Sequence, residues 1–210
     1  MTKIVLLHGF AVGLSAPFIR PRFGASASMT AFEKQINERV TRVFPWGIES
    51  KVQPWELLNP FLLRKLYKDE KTLVYSDSLQ TQLNAFLNEQ QPSMIVCHSM
   101  GCLLLKIYLE HFKLPASVKS IVLIQSDLPA SVSLSTTIPV HHLYCPWDPT
   151  LLLSSFINGH LRAGLCPSKY TNGNNFLFPL ILPWNLHTSS VRDKKLITFI
   201  DSILETEMKR

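Results

Sequence analysis

One stretch constrains this chain more than any other: Pro92-Ser93-Met94-Ile95-Val96-Cys97-His98-Ser99-Met100-Gly101. An apolar, β-branched run enters a small-x-Ser-x-Gly turn, and an apolar helical pattern starts at once. A serine on so tight a strand-to-helix turn is pushed out into the open, the geometry of a nucleophile elbow. The N–H groups of the helix that begins there point at whatever Ser99 attacks. Position 97 must be small to let the helix pass close to the strand, and Cys97 stands where glycine is usual.

Elsewhere the chain alternates short apolar runs with helical patterns. Ile4 to Leu7 reads as a buried strand stopped by His8-Gly9, and residues 10–28 as a loop. Phe32, Ile36 and Val40 fall at helical spacing, so the pattern predicts a helix over Thr30 to Val40, then a strand over Thr41 to Trp46. Ser78 to Asn88 and Met100 to Phe112 read as helices. Met94 to Cys97, Val118 to Gln125, Val140 to Cys145 and Phe176 to Leu182 read as strands. Val191 to Glu205 closes the chain as an amphipathic helix. Strands that are continuously apolar and separated by helices imply an α/β fold, a mostly parallel sheet covered on both faces. Ligands bind such sheets at the carboxyl ends of the strands. His8, Ser99 and Asp148 each follow a strand and so belong to that edge.

The 210 residues suit one domain, with 46% hydrophobic and 17% charged residues arguing for a packed globule. The formal charge is +6, but the basic residues are scattered, which argues against nucleic-acid binding. Cys97, Cys102, Cys145 and Cys166 form no C-x-x-C pair and no zinc spacing, so no metal is expected and free thiols in a reducing, cytoplasmic setting are. No run of 18 apolar residues exists. Lys3 followed by Ile4 to Ala16 faintly suggests a secretion signal, but His8-Gly9 breaks the run.

Four motifs in order resemble the α/β-hydrolase superfamily over nearly the whole chain. His8-Gly9-Phe10 resembles its oxyanion turn, and Cys97-His98-Ser99-Met100-Gly101 its elbow. Tyr144-Cys145-Pro146-Trp147-Asp148-Pro149 resembles the loop carrying the acid, and Asn185-Leu186-His187-Thr188 the loop carrying the base. The resemblance implies a triad of Ser99, His187 and Asp148, with the backbone N–H groups of Phe10 and Met100 as the oxyanion hole. His8, Gly9, His98 and Gly101 would support the site, and His8 would brace the oxyanion loop without acting as a base. The chemistry needs each part: a hydroxyl is a poor nucleophile until a base takes its proton, and histidine has an unperturbed pKa of about 6.5. A carboxylate behind the imidazole fixes its tautomer. Asp127 is the rival acid, just after the preceding strand. His160, His141 and His142 are the rival bases, the last two within a strand.

The connection between the strands ending near Gln125 and starting near Val140 is too short for the family's usual lid. Two segments are left to cover the site: residues 10–28, where Phe18, Arg20 and Arg22 are possible substrate contacts together with Trp147, and a candidate flap or cap over residues 48–75. Its apolar part, 54–67, is either an acyl-binding or membrane-facing patch or a helix packed on the sheet. The implied function is hydrolysis of a small-molecule carboxylic ester or thioester with no cofactor. A catalytically weak binding or scaffold protein and an acyltransferase are the alternatives.

Overall fold

A computed structural model describes residues 3–9, 40–47, 59–168, 173–178 and 194–208. Its centre is a six-stranded parallel sheet. The strands are β1 (Lys3–Leu7), β2 (Val40–Val43), β3 (Met94–His98), β4 (Ser120–Ile124), β5 (Val140–Tyr144) and β6 (Asn175–Leu177). Among the described residues the α-helices are α1 (Pro60–Val74), α2 (Asp77–Gln90), α3 (Met100–His111), α4 (Pro149–Asn158) and α5 (Lys194–Met208).

The strand order is β2-β1-β3-β4-β5-β6. The chain therefore reverses its direction of growth between β1 and β3, which places the crevice of the switch point between the residues that follow those strands. They are His8-Gly9 and Ser99.

Alternate residues of each strand serve opposite faces, and both faces are apolar. Val5, Leu7, Ile95, Cys97, Ile121 and Leu123 share one core with Tyr67 and Val74 of α1, Leu79, Leu83 and Leu87 of α2, and Leu104 and Tyr108 of α3. Ile4, Leu6, Met94, Val96, Val122 and Ile124 form the other core with Leu196, Ile200, Ile203 and Leu204 of α5. Burial on both faces explains why the strands read as continuous apolar runs. Cys97 belongs to the first core, which explains a thiol at that position: burial pushes its pKa well above the ordinary value, so it behaves as a small apolar side chain. No disulfide joins the four cysteines.

Several elements differ from expectation. Val40, read as the end of a helix, opens β2; residues 30–39 lie outside the described residues. β2 stops at Val43, three residues early. Phe44 still donates its N–H to the Leu6 carbonyl (3.0 Å), but Pro45 has no N–H to continue the ladder. β6 is described over Asn175–Leu177, with Phe178 N–H bonded to the Tyr144 carbonyl (2.8 Å); residues 179–182 of the expected strand lie outside the described residues. The second half of the 48–75 segment is helix α1, begun by Asn59, whose side chain accepts from the Phe61 and Leu62 N–H groups. α1 buries Tyr67 and Val74 in the sheet core, while residues 48–58 lie outside the described residues. α4 was not anticipated, although Asp148-Pro149 is an N-cap followed by proline at the first helical position. The stretch from Gln125 to Pro139 has turns and no inserted helix. No helix among the described residues is long and apolar enough to cross a membrane.

Candidate active site

Ser99 sits between the last residue of β3 and the first of α3 with φ 53° and ψ −120°. A non-glycine residue adopts that conformation only when its surroundings impose it, at a cost of roughly 1–3 kcal/mol. The surroundings here are backbone hydrogen bonds. Ser99 N–H donates to the Ile124 carbonyl (3.0 Å), and the Ser99 carbonyl accepts from Asp127 N–H (3.2 Å) and Cys102 N–H (3.0 Å). The turn is thus tied to the carboxyl end of β4 on both sides of its serine. The hydroxyl makes no capping bond to α3.

Gly101 has its own physical reason. A Cβ there would stand 2.6 Å from the His8 carbonyl oxygen and closer still to that of Leu7. The first turn of α3 therefore passes directly over the end of β1. This brings the His8-Gly9 turn to the serine: a Cβ on Gly9 would stand 2.7 Å from Ser99 Cβ and 3.2 Å from Ser99 Oγ. The His8 ring is fully buried and stacks on Trp46 with 5.1 Å between centroids and 11° between planes. Its Nδ1 lies 3.0 Å from the Gly9 carbonyl. An oxygen can only accept, so Nδ1 carries the proton. His8 braces the turn that faces Ser99. A Cβ on Gly47, which has φ 116°, would stand 3.8 Å from the His8 ring.

Asp148 is fully buried and caps α4. Its Oδ1 accepts from the N–H groups of Thr150 (2.9 Å) and Leu151 (3.2 Å), and its Oδ2 accepts from Gln125 Nε2 (2.6 Å). Gln125 follows β4 with φ 45°. Sequence reasoning missed it; its only mark in the sequence is a polar residue directly after the apolar run Ile121 to Ile124.

The rival acid has other work. Asp127 is buried, and its Oδ2 accepts from the Tyr67 hydroxyl (2.7 Å) while its Oδ1 accepts from Ser154 Oγ (2.6 Å) and pairs with Arg162 Nε (3.2 Å). Arg162 is itself buried. Its remaining N–H groups donate to the Asp127 carbonyl (3.0 Å), the Tyr67 hydroxyl (3.3 Å) and His160 Nε2 (3.4 Å). Burial, then the Asp127 charge, push the Tyr67 phenol up to about 12, so it stays a donor. This network locks α1 to α4 and to the loop after β4. Of the rival bases, His160 is engaged at its edge, and His141 and His142 lie within β5. Burial pushes His142 down to about 4.

The described residues therefore bring Ser99, Gly9, His8, Gly101 and the first turn of α3, which begins at Met100, to one point on the carboxyl edge. His98 lies against Gly9. Asp148 stands on the same edge, two strands away, joined through Gln125 and β4, with exposed Trp147 beside it. Phe10, Phe18, Arg20, Arg22 and His187 lie outside the described residues.

No protein-family model and no curated protein sequence matches this chain. Solved structures do. MenH from S. aureus is 14% identical with a TM-score of 0.54, over 99% of this chain and 94% of its own. A protein assigned as a hydrolase of the α/β superfamily, from Xanthomonas campestris pv. campestris, is 10% identical with a TM-score of 0.52, over 96% of this chain and 99% of its own. At these identities the likeness is one of fold.

Proposed function

We propose that this chain, which has the α/β-hydrolase fold, is a serine hydrolase that cleaves a carboxylic ester or thioester of a small molecule through an acyl-enzyme on Ser99. The observation that carries the reading is the strained elbow: a serine at φ 53°, at the switch point of a parallel sheet, with the Gly9 turn packed against its hydroxyl.

In this reading His187 takes the Ser99 proton as Oγ attacks the carbonyl carbon. The N–H groups of Met100 and Phe10 hold the oxyanion, each contributing about 100- to 1,000-fold in rate. The C–O or C–S bond then breaks, and His187 returns the proton to the departing alcohol or thiol. Water repeats the sequence and releases the acid. Asp148 orients His187. Its support is that Gln125 and the first N–H groups of α4 fix the Asp148 carboxylate at the carboxyl edge, whereas Asp127 is paired with the Arg162 guanidinium in the network that locks α1 to α4.

The test is labelling of the folded protein with a fluorophosphonate, mapped by peptide mass. One adduct on Ser99 is expected, absent in Ser99→Ala and at least about 1,000-fold slower in His187→Ala. Folded protein that never reacts refutes the reading and favours a binding or scaffold protein.

A further inference from the structure

The outward face of α4 is made of hydrocarbon. The helix holds no charged residue, and Leu152, Leu153 and Phe156, at i, i+1 and i+4, share one side and are all exposed, Phe156 by 87%. Trp147, 71% exposed, precedes the helix, and exposed Leu161 follows it. Most surface helices present charge outward, as α1 does here; a contiguous apolar stripe marks an interaction site.

The two helices lie side by side and run the same way. Tyr67 meets Ser154 (3.3 Å) and, one turn on, Lys71 Nζ donates to Asn158 Oδ1 (2.9 Å). That pairing fixes which flank of α1 borders the stripe. Lys68 and Arg64 lie on the flank of Lys71, one and two turns toward the N-terminus, and both are exposed. Phe61, 81% exposed, extends that flank. Exposed Asp69 lies about 100° round α1 from Lys68, and Arg64, Lys65 and Lys68 outnumber it on the outward side of the helix. Three exposed hydrocarbon side chains of α4, an aromatic at the head of each helix and a row of cations beside them thus form one surface. It lies next to Asp148, at the mouth of the edge that carries Ser99.

We infer that the outer face of α1 and α4 docks on an anionic lipid surface, with Phe156, Leu153 and Trp147 entering the headgroup boundary and Arg64 and Lys68 against the lipid charges. Charge selects this occupant. Arg64 and Lys68 are exposed beside the α4 hydrocarbon, and an anionic bilayer neutralises them while the apolar side chains enter its headgroup boundary. Each cation near such a surface strengthens binding about fivefold, and buried aromatic and aliphatic side chains add to it. Docking here requires no catalytic step and stands apart from the hydrolase reading.

The experiment is co-sedimentation of the full chain with vesicles of phosphatidylcholine alone and of phosphatidylcholine with phosphatidylglycerol. Binding is expected to the anionic vesicles and to weaken with salt. Arg64→Gln with Lys68→Gln should lower the partition coefficient about 25-fold. Leu153→Ser with Phe156→Ser, both exposed and outside the catalytic machinery, should lower it about tenfold or more. Both pairs should keep the melting temperature and the Ser99 labelling rate, so that loss of docking is read separately from loss of hydrolysis. No binding to anionic vesicles, equal binding to neutral ones, or binding unmoved by either pair overturns the inference. So does a dimer in sedimentation velocity that Leu153→Ser with Phe156→Ser dissociates without any vesicle binding, which would make the patch an interface between copies.

Discussion

Adding one methyl group at Gly101 and at Gly9 separates the architecture of the elbow from its chemistry. At Gly101 the new carbon would stand 2.6 Å from the His8 carbonyl oxygen and 2.7 Å from the Leu7 carbonyl carbon. Non-bonded carbon contacts settle at about 3.5–4.0 Å, so strand and helix must part by about 1 Å. Neither gives easily: the obstructing atoms are backbone, and β1 is paired on both sides, to β2 and to β3. Overpacking costs about 1–3 kcal/mol where side chains can adjust, so about 3 kcal/mol is expected for Gly101→Ala. In a domain of this size that lowers the melting temperature by about 6–12 °C. At Gly9 the same carbon meets mainly side chains, Ser99 Cβ at 2.7 Å and His98 Nδ1 and Ser99 Oγ at 3.2 Å. Ser99 Cβ is fixed by its backbone, so Gly9→Ala should cost about 1–3 kcal/mol in stability and also displace the Ser99 hydroxyl. A misplacement of that order lowers reactivity about 100-fold. Thermal unfolding followed by circular dichroism, beside the fluorophosphonate labelling rate, reads both quantities. Gly101→Ala melting within 2 °C of the unaltered protein, or Gly9→Ala labelling at its full rate, would refute this account of why α3 and the His8-Gly9 turn crowd Ser99.

Two further outcomes follow from the buried polar groups. Asp127→Asn leaves the Arg162 guanidinium buried without its counter-ion, and a loss of about 3–5 kcal/mol is expected in urea unfolding; a loss under about 1 kcal/mol would show that the hydroxyls of Tyr67 and Ser154 suffice. His142 is fully buried and pushed down to about 4 from the usual 6.5. The unfolded chain therefore takes up a proton at higher pH than the folded one, so stability falls as pH drops below about 6.5 and levels off below about 4, in total by about 3 kcal/mol. His142→Phe should remove that part of the slope between pH 4 and 6.5, and an unchanged slope would mean that the charge enters elsewhere.

Much of the architecture was legible in local patterns. The β3–Ser99–α3 turn, the parallel sheet and the two-sided burial all rest on spacing and on residue type, because a buried parallel strand has no polar face to show and a tight elbow admits few side chains. Strand ends were less legible. β2 stops where Pro45 breaks its ladder, since pairing partners and not hydrophobicity end a strand. α4 was hidden by an outward face as apolar as its inner one, which erases the periodicity by which helices are read.

The sequence by itself determined the order of the candidate site motifs, His8-Gly9, Ser99 and then Asp148, because each is short and tied to one strand end. It ranks Asp148 above Asp127 through the family resemblance alone, since two carboxylates after neighbouring strands look alike in one dimension. Only the tertiary structure separates their surroundings. Tyr67, Ser154 and Arg162 converge on Asp127 and tie it between α1, α4 and the loop after β4, while Gln125, held at φ 45°, and the first N–H groups of α4 hold Asp148 at the carboxyl edge. Local patterns dictate which elements form, and the hydrogen bonds that a buried carboxylate must find depend on which of those elements pack together.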